Sequence, residues 1–222
     1  MKKLRVARIQ FDEPIKGKDI SSFRGAVLDK LENANELFHN HKDEGYRYNY
    51  PLIQYKRISQ KAAIVCLDEG VDSIHEFFNQ NDWTLNLGDT QINFELKDLH
   101  LNQFNLQIWN RYFHYNIFNW LALNQENYKK YTDLPGEEER LYFLGNILRG
   151  NIMSFCKGIG YYAEKEIKVD IEDIIRTKVV PFKNIKLQAF DVRFKTNMFL
   201  PEYIGLGKGV SLGYGTVRVN KQ

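Results

Sequence analysis

The sequence of 222 residues predicts an α+β fold made of two consecutive β-α-β-β-α-β units, the second degenerate. Three observations carry this. Short runs rich in Val, Ile, Leu and Phe alternate with stretches whose apolar residues recur every three to four positions, the two periods of strand and helix. The length suits two small domains or one large one, each able to bury its own core. A hydrophobic share of 43% beside 27% charged residues is that of a globular chain rather than a disordered or fibrous one.

Residues 3–12 read as an extended strand. A helix follows, with Asp19 or Ser21 as N-cap and Ile20, Phe23, Val27, Leu31 and Ala34 as its apolar stripe. After a polar loop, residues 46–58 alternate like a strand, and 61–68 form a compact apolar strand closed by Glu69-Gly70. Val71, Ile74, Phe77 and Phe78 mark a second helix. Residues 84–101 then give an extended pair or one long strand. This order is the split ferredoxin-like (RRM-like) unit.

The second half repeats the order less cleanly. A strand over 104–115 leads into a polar, turn-rich insertion at 124–136. A strong helix over about 137–157 has acids at its start and Gly158 as C-cap. Strands follow over 167–175 and 185–196. In the latter the apolar parity shifts from Ile185, Leu187 and Ala189 to Phe190, Val192 and Phe194, which predicts a β-bulge. Residues 197–203 are too few for the closing helix. The expected domains are residues 1–101 and 102–222.

Charges interrupt Met1–Arg8 where a signal peptide needs an apolar run, and no segment approaches the ~20 apolar residues that span a bilayer. A cytoplasmic chain with no membrane partner is expected. Cys66 and Cys156 sit in apolar patterns as small buried hydrophobes, with no disulfide framework and no structural zinc set. The net charge of +3 permits nucleic-acid binding without predicting it, so the distribution of charge matters more than its sum.

Two stretches carry chemistry. Gly205-Leu206-Gly207-Lys208-Gly209-Val210-Ser211-Leu212-Gly213-Tyr214-Gly215 has more backbone freedom than a turn requires. Successive amides there can face phosphate oxygens, with Lys208 adding charge. A flexible hairpin loop would use the same glycines. The second stretch is His39-Asn40-His41, directly after the first helix. On extended backbone residues i and i+2 face the same way, so both imidazoles can address one ligand. Tyr46, Tyr48 and Tyr50 share a face of the strand that follows. A histidine pair suits metal-free RNA cleavage, because imidazole holds either proton state near neutrality. His75, His100 and His114 stand alone in helix or strand patterns.

Gly-hydrophobic-Gly, five residues, Gly-hydrophobic-Gly and a short terminal strand resembles the C-terminal glycine-rich loop of the repeat-associated RNA-binding (RAMP) superfamily of CRISPR systems. It especially resembles the Cas-six-type repeat endoribonucleases of that superfamily. The helix, the His-x-His loop and Tyr48-Asn49-Tyr50-Pro51-Leu52-Ile53-Gln54-Tyr55-Lys56 resemble the subgroup linked to type I-B systems. The resemblance implies tandem ferredoxin-like domains and no cofactor or metal. It implies catalysis by His41 and His39 with Tyr48, and leaves a catalytic lysine open between Lys56 and Lys61. The partner it implies is CRISPR repeat RNA, held by Gly205, Gly207, Lys208, Gly209, Gly213 and Gly215 and by Arg193 and Lys195, which share a strand face. It is compatible with effector-complex subunits as partners and with a homodimer. The expected reaction is 2′-hydroxyl attack on phosphorus, leaving a 2′,3′-cyclic phosphate (or 3′-phosphate) and a 5′-hydroxyl. The alternative is a non-catalytic RAMP-type RNA-binding subunit of an effector complex.

Overall fold

A computed structural model of the protein describes residues 2–31, 50–80 and 82–220. These form two compact units, one made of residues 3–105 with 211–213 and the other of residues 106–210 and 214–220 together with Lys2.

The first unit contains β1 (Lys2–Pro14), α1 (Ile20–Lys30), β2 (Ile53–Ile58), β3 (Lys61–Leu67), the short helices α2 (Glu69–Ser73) and α3 (His75–Phe78), β4 (Thr84–Leu87), β5 (Thr90–Asn93) and β6 (Leu96–Leu106). Its sheet order is β2-β3-β1-β6. β3 runs antiparallel to both β1 and β2. This is the strand order of the ferredoxin-like unit, with the outer β2 reached by the α1 crossover. Of the stripe predicted for α1, Ala34 lies outside the described residues, and Ile20, Phe23, Val27 and Leu31 are all buried. They meet Ile9, Phe11, Tyr55, Ile64 and Phe94 in one apolar cluster. Within it Phe11 packs edge-on against Phe23, Phe77 and Phe94 at 5.5–6.1 Å between ring centroids, a favoured arrangement for aromatic quadrupoles.

Three expectations are refined here. The second helix is two short ones, joined at Ile74. The extended region 84–101 divides into a β4–β5 hairpin and the separate strand β6. β2 starts at Ile53, so Tyr50 precedes it, and residues 46–49 of the predicted strand lie outside the described residues.

The second unit contains β7 (Ile108–Trp120), α4 (Gln125–Thr132), α5 (Glu137–Gly158), β8 (Val169–Phe182), β9 (Ile185–Met198) and β10 (Thr216–Val219). The sheet order is β10-β7-β9-β8, the same permutation as in the first unit. Residues 199–215 stand where a second helix would, with a single short 3-10 turn at Val210–Leu212, so the unit is degenerate as expected. α5 buries Leu144, Leu148, Ile152 and Phe155.

Here the structure also corrects details. The insertion at 124–136 contains α4, capped by Asn124, whose side chain accepts from the Asn127 amide at 2.7 Å. α5 runs through Gly158, and Gly160 takes the left-handed conformation instead, with φ +66°. The Gly160 amide donates to Lys157 O at 3.1 Å and the Tyr161 amide to Cys156 O at 2.8 Å, a Schellman ending. The extra residues that disturb β9 lie on its neighbours, between Ile171 and Arg176 of β8 and between Ile117 and Trp120 of β7. Cys66 and Cys156 are both free and buried. No helix among the described residues is long and apolar enough to cross a membrane.

Candidate nucleic-acid interface

His39, His41 and Tyr48 lie outside the described residues. The structure does define both flanks of their segment. On one side α1 ends with Leu31 buried in the aromatic cluster and Lys30 paired with Asp82 at 2.9 Å. On the other, Gln54 donates from Nε2 to Tyr50 Oη at 2.9 Å and to Pro51 O at 3.0 Å. The chain is therefore pinned two residues after Tyr48.

β2 and its neighbours separate the two candidate lysines. Residues alternate across a strand, so while Tyr55 faces the core, Gln54 and Lys56 point to the other side of the sheet. The register sets Lys56 across from Ala63 and Ala63 across from Gln10. Gln10, Gln54 and Lys56 are all buried. Burial pushes the Lys56 ammonium from its ordinary 10.5 down to about 7, because the charged form loses its hydration. Lys61 is different: its ammonium contacts the Asp12 carboxylate, a hydrogen bond that holds Asp12 below the usual carboxylate range.

The glycine loop is a closed device. Leu206 N donates to Gly215 O at 2.9 Å and Gly215 N to Asn119 O at 3.1 Å, while Gly205 bridges Thr216. Gly207, Gly209, Gly213 and Gly215 all have positive φ. At two of them the reason is tight. A Cβ on Gly215 would lie 1.9 Å from Leu206 O, and one on Gly207 would lie 2.8 Å from Trp120 Nε1. That indole N–H itself donates to Asn151 Oδ1 at 2.9 Å. At these positions the missing side chain makes room for the protein's own atoms. Gly213 groups with the first unit. Lys208 is exposed, its Nζ 5.1 Å from the Phe182 ring.

Arg193 and Lys195 do share a face of β9, and the register adds what sequence could not supply. Asn116 of β7 stands opposite both Arg193 and Arg218 of β10, so two guanidinium side chains flank one amide in a single cross-strand row. In the next row Lys195 stands between His114 and Asp170, with Lys195 Nζ 3.7 Å from the Asp170 carboxylate. His114 pairs with Glu172 at 3.1 Å. Lys178 is committed to buried Asp191 at 2.8 Å. A planar fork such as Arg193 or Arg218 suits phosphate oxygens; both side chains are exposed, and Arg218 lies 3.9 Å from the Glu202 carboxylate.

Comparison with known proteins matches both halves of the chain. The Cas6b N-terminal domain profile covers residues 2–105, and the Cas6b C-terminal domain profile covers residues 107–220. A crystal structure of Cas6b superposes with a TM-score of 0.87 at 28% identity, covering 99% of this chain and 100% of that one. A structure of a CRISPR RNA processing endoribonuclease Cas6b gives 0.74 at 26% identity, with coverage of 99% and 100%. Csf5, a type IV Cas6 crRNA endonuclease, shares the fold at a TM-score of 0.57 and 12% identity, with coverage of 99% and 100%. An uncharacterized protein of Methanocaldococcus jannaschii is 38% identical over 101 residues, which are 44% of this chain and 65% of that protein. The match thus spans just under two thirds of that relative's length.

Proposed function

This chain belongs to the Cas6b family, and we propose that it is an endoribonuclease that cuts CRISPR precursor RNA within its repeats to release guide RNAs. The observation that carries this reading is the match of both halves to one family of RNA-processing proteins, in a chain with a His-x-His pair between two anchored flanks.

In the proposed mechanism the 2′-hydroxyl beside the scissile bond loses its proton to a base and attacks phosphorus. The phosphorane collapses as an acid protonates the departing 5′-oxygen, leaving a 2′,3′-cyclic phosphate, which water can then open to a 3′-phosphate, and a 5′-hydroxyl. His41 acts as the principal acid or base and His39 as the second or as an orienting group. Tyr48 positions the substrate or donates to the developing oxyanion. No metal takes part. Arg193, Lys195 and the loop bearing Lys208 hold phosphates, and the Gln54–Tyr50 hydrogen bond fixes the downstream end of the histidine segment.

The test is single-turnover cleavage of a repeat RNA with mapped ends. His41→Ala slows the chemical step by ~10²-fold or more with repeat binding retained. Cleavage persists in EDTA, and a 2′-deoxy at the scissile nucleotide abolishes it. Wild-type protein that binds the repeat and leaves it whole would mark a binding subunit instead. A strict requirement for Mg²⁺ would overturn the mechanism.

A further inference from the structure

The second unit carries, at one end of its sheet, an aromatic and cationic surface that meets the residues proposed to hold the repeat only at Lys195. It begins with an irregularity in β7. Ile108 pairs with Met198 and Phe113 with Thr196, so β7 fits extra residues between points two apart on β9, and 109–112 bow out of the ladder. Arg111 lies between two rings, 5.1 Å from the Trp109 centroid and 4.9 Å from the Phe113 centroid. Tyr112 is 42% exposed with Lys195 Nζ 5.3 Å from its ring.

Next to this bow runs the segment after α5. The Schellman ending turns the chain sharply, leaving Tyr162 78% exposed. Asn197, itself buried, then clamps the segment. Its Oδ1 accepts from the Lys168 amide at 2.9 Å and its Nδ2 donates to Glu166 O at 3.0 Å. Two grooves, of about 650 and 330 Å³, flank the segment and share Lys165 and Glu166 in their walls. The larger takes Tyr161, Tyr162 and Met153 from the α5 side, and the smaller takes Trp109 and Tyr112 from the bow. Together their walls hold Arg111, Arg149, Lys157, Lys165 and Lys168 against one carboxylate, Glu166. Glu166 is 3.6 Å from Arg149. That excess of positive charge sits in a chain whose whole net charge is +3.

We propose that this surface is a second RNA site, which takes unpaired nucleotides of the transcript by stacking bases on Tyr112 and Tyr162 while Lys157, Lys165 and Lys168 hold the phosphates. The occupant follows from the chemistry of the walls. Exposed aromatic faces interleaved with cations match a single strand, whose bases are free to stack, whereas a duplex keeps its bases stacked inside. The charge excess opposes a basic partner and favours a polyanion. The proposal rests on the reading that this chain acts on RNA, but not on the histidines.

The test uses the full chain and a 4-thiouridine-labelled oligouridine with no secondary structure. Fluorescence polarisation should show Tyr162→Ala weakening oligouridine binding by about 5- to 150-fold, the loss of one stacked base, with Tyr162→Phe restoring it. Lys165→Ala should lower the slope of log affinity against log salt by about 0.7. Photocrosslinks should fall within 109–113 and 161–168. Oligouridine affinity unchanged in a Tyr112→Ala/Tyr162→Ala double variant would overturn the proposal. So would crosslinks confined to other segments, or the same variant losing a protein partner while keeping RNA. Wild-type protein that binds oligouridine through these residues and leaves repeat RNA uncut sinks the endonuclease reading alone. Normal repeat cleavage with unchanged oligouridine binding in the double variant sinks the second site alone.

Discussion

Lys56 offers a direct test of what burial does to a charge in this fold. It lies in β2 with 1% exposure, and its ammonium is pushed from 10.5 to about 7. Below pH 7 both folded and unfolded chains carry the proton, and the folded state bears the full desolvation cost. Between pH 7 and about 10.5 only the unfolded chain keeps the proton, so stability climbs with pH through this window. Above it the difference vanishes. At about 1.4 kcal/mol per unit, the depression corresponds to an upper bound of about 5 kcal/mol. Lys56→Met keeps most of the side-chain volume and removes the proton. Urea unfolding of both proteins from pH 7 to pH 10 isolates the effect, because other titrating groups cancel in the difference. The advantage of the Met variant should shrink by roughly 1.4 kcal/mol per pH unit across the window. A difference that stays flat from pH 7 to pH 10 would refute the reasoning.

Three further outcomes follow from packing. Gly215→Ala forces a Cβ to 1.9 Å from Leu206 O at φ +61°, so about 3 kcal/mol or more should be lost in chemical denaturation. Gly150→Ala in the exposed face of α5 meets nothing within 4 Å and should raise stability by about 0.5–1 kcal/mol in the same assay. Asp191→Ala removes the acceptor of the Asn119 amide at 2.7 Å and the partner of Lys178, so a loss of about 2–4 kcal/mol and faster hydrogen exchange at Asn119 are expected.

What the sequence made legible was periodicity backed by burial. The α1 stripe and the continuous apolar run of β3 could be read because one face, or both, had to leave water. The same logic missed α4, whose buried residue is Tyr131, leaving no apolar stripe. Its signal was local instead: Asn124 as cap, then Glu126 and Lys130 at i and i+4, now paired at 2.6 Å. The bulge was detected from β9 but sits on its neighbours, since parity along one strand reports a change of face and says nothing of which partner holds the extra residue. The Arg193–Asn116–Arg218 row needs the register of three strands, which no single segment encodes. The aromatic bow at Trp109–Phe113 was hidden for the same reason, as it reads as ordinary strand until its pairing is known.

The glycine loop has an internal structural use that its spacing alone does not show. Its spacing invited a phosphate cradle, in which absent side chains admit a ligand. At Gly207 and Gly215 that space is filled by Trp120, Asn151 and the Leu206 carbonyl, and the amides of Leu206 and Gly215 bond to the chain itself. Gly207 and Gly215 thus give room for the loop to close beside β7, where Arg218 of β10 comes level with Asn116. On this account Gly215→Ala should lower stability and RNA affinity together, since both depend on β10 being in place. Arg218→Ala, on an exposed side chain, should lower affinity and the salt slope while stability stays within about 0.5 kcal/mol. A Gly215→Ala protein of full stability that binds repeat RNA poorly would return the loop to the role of direct ligand.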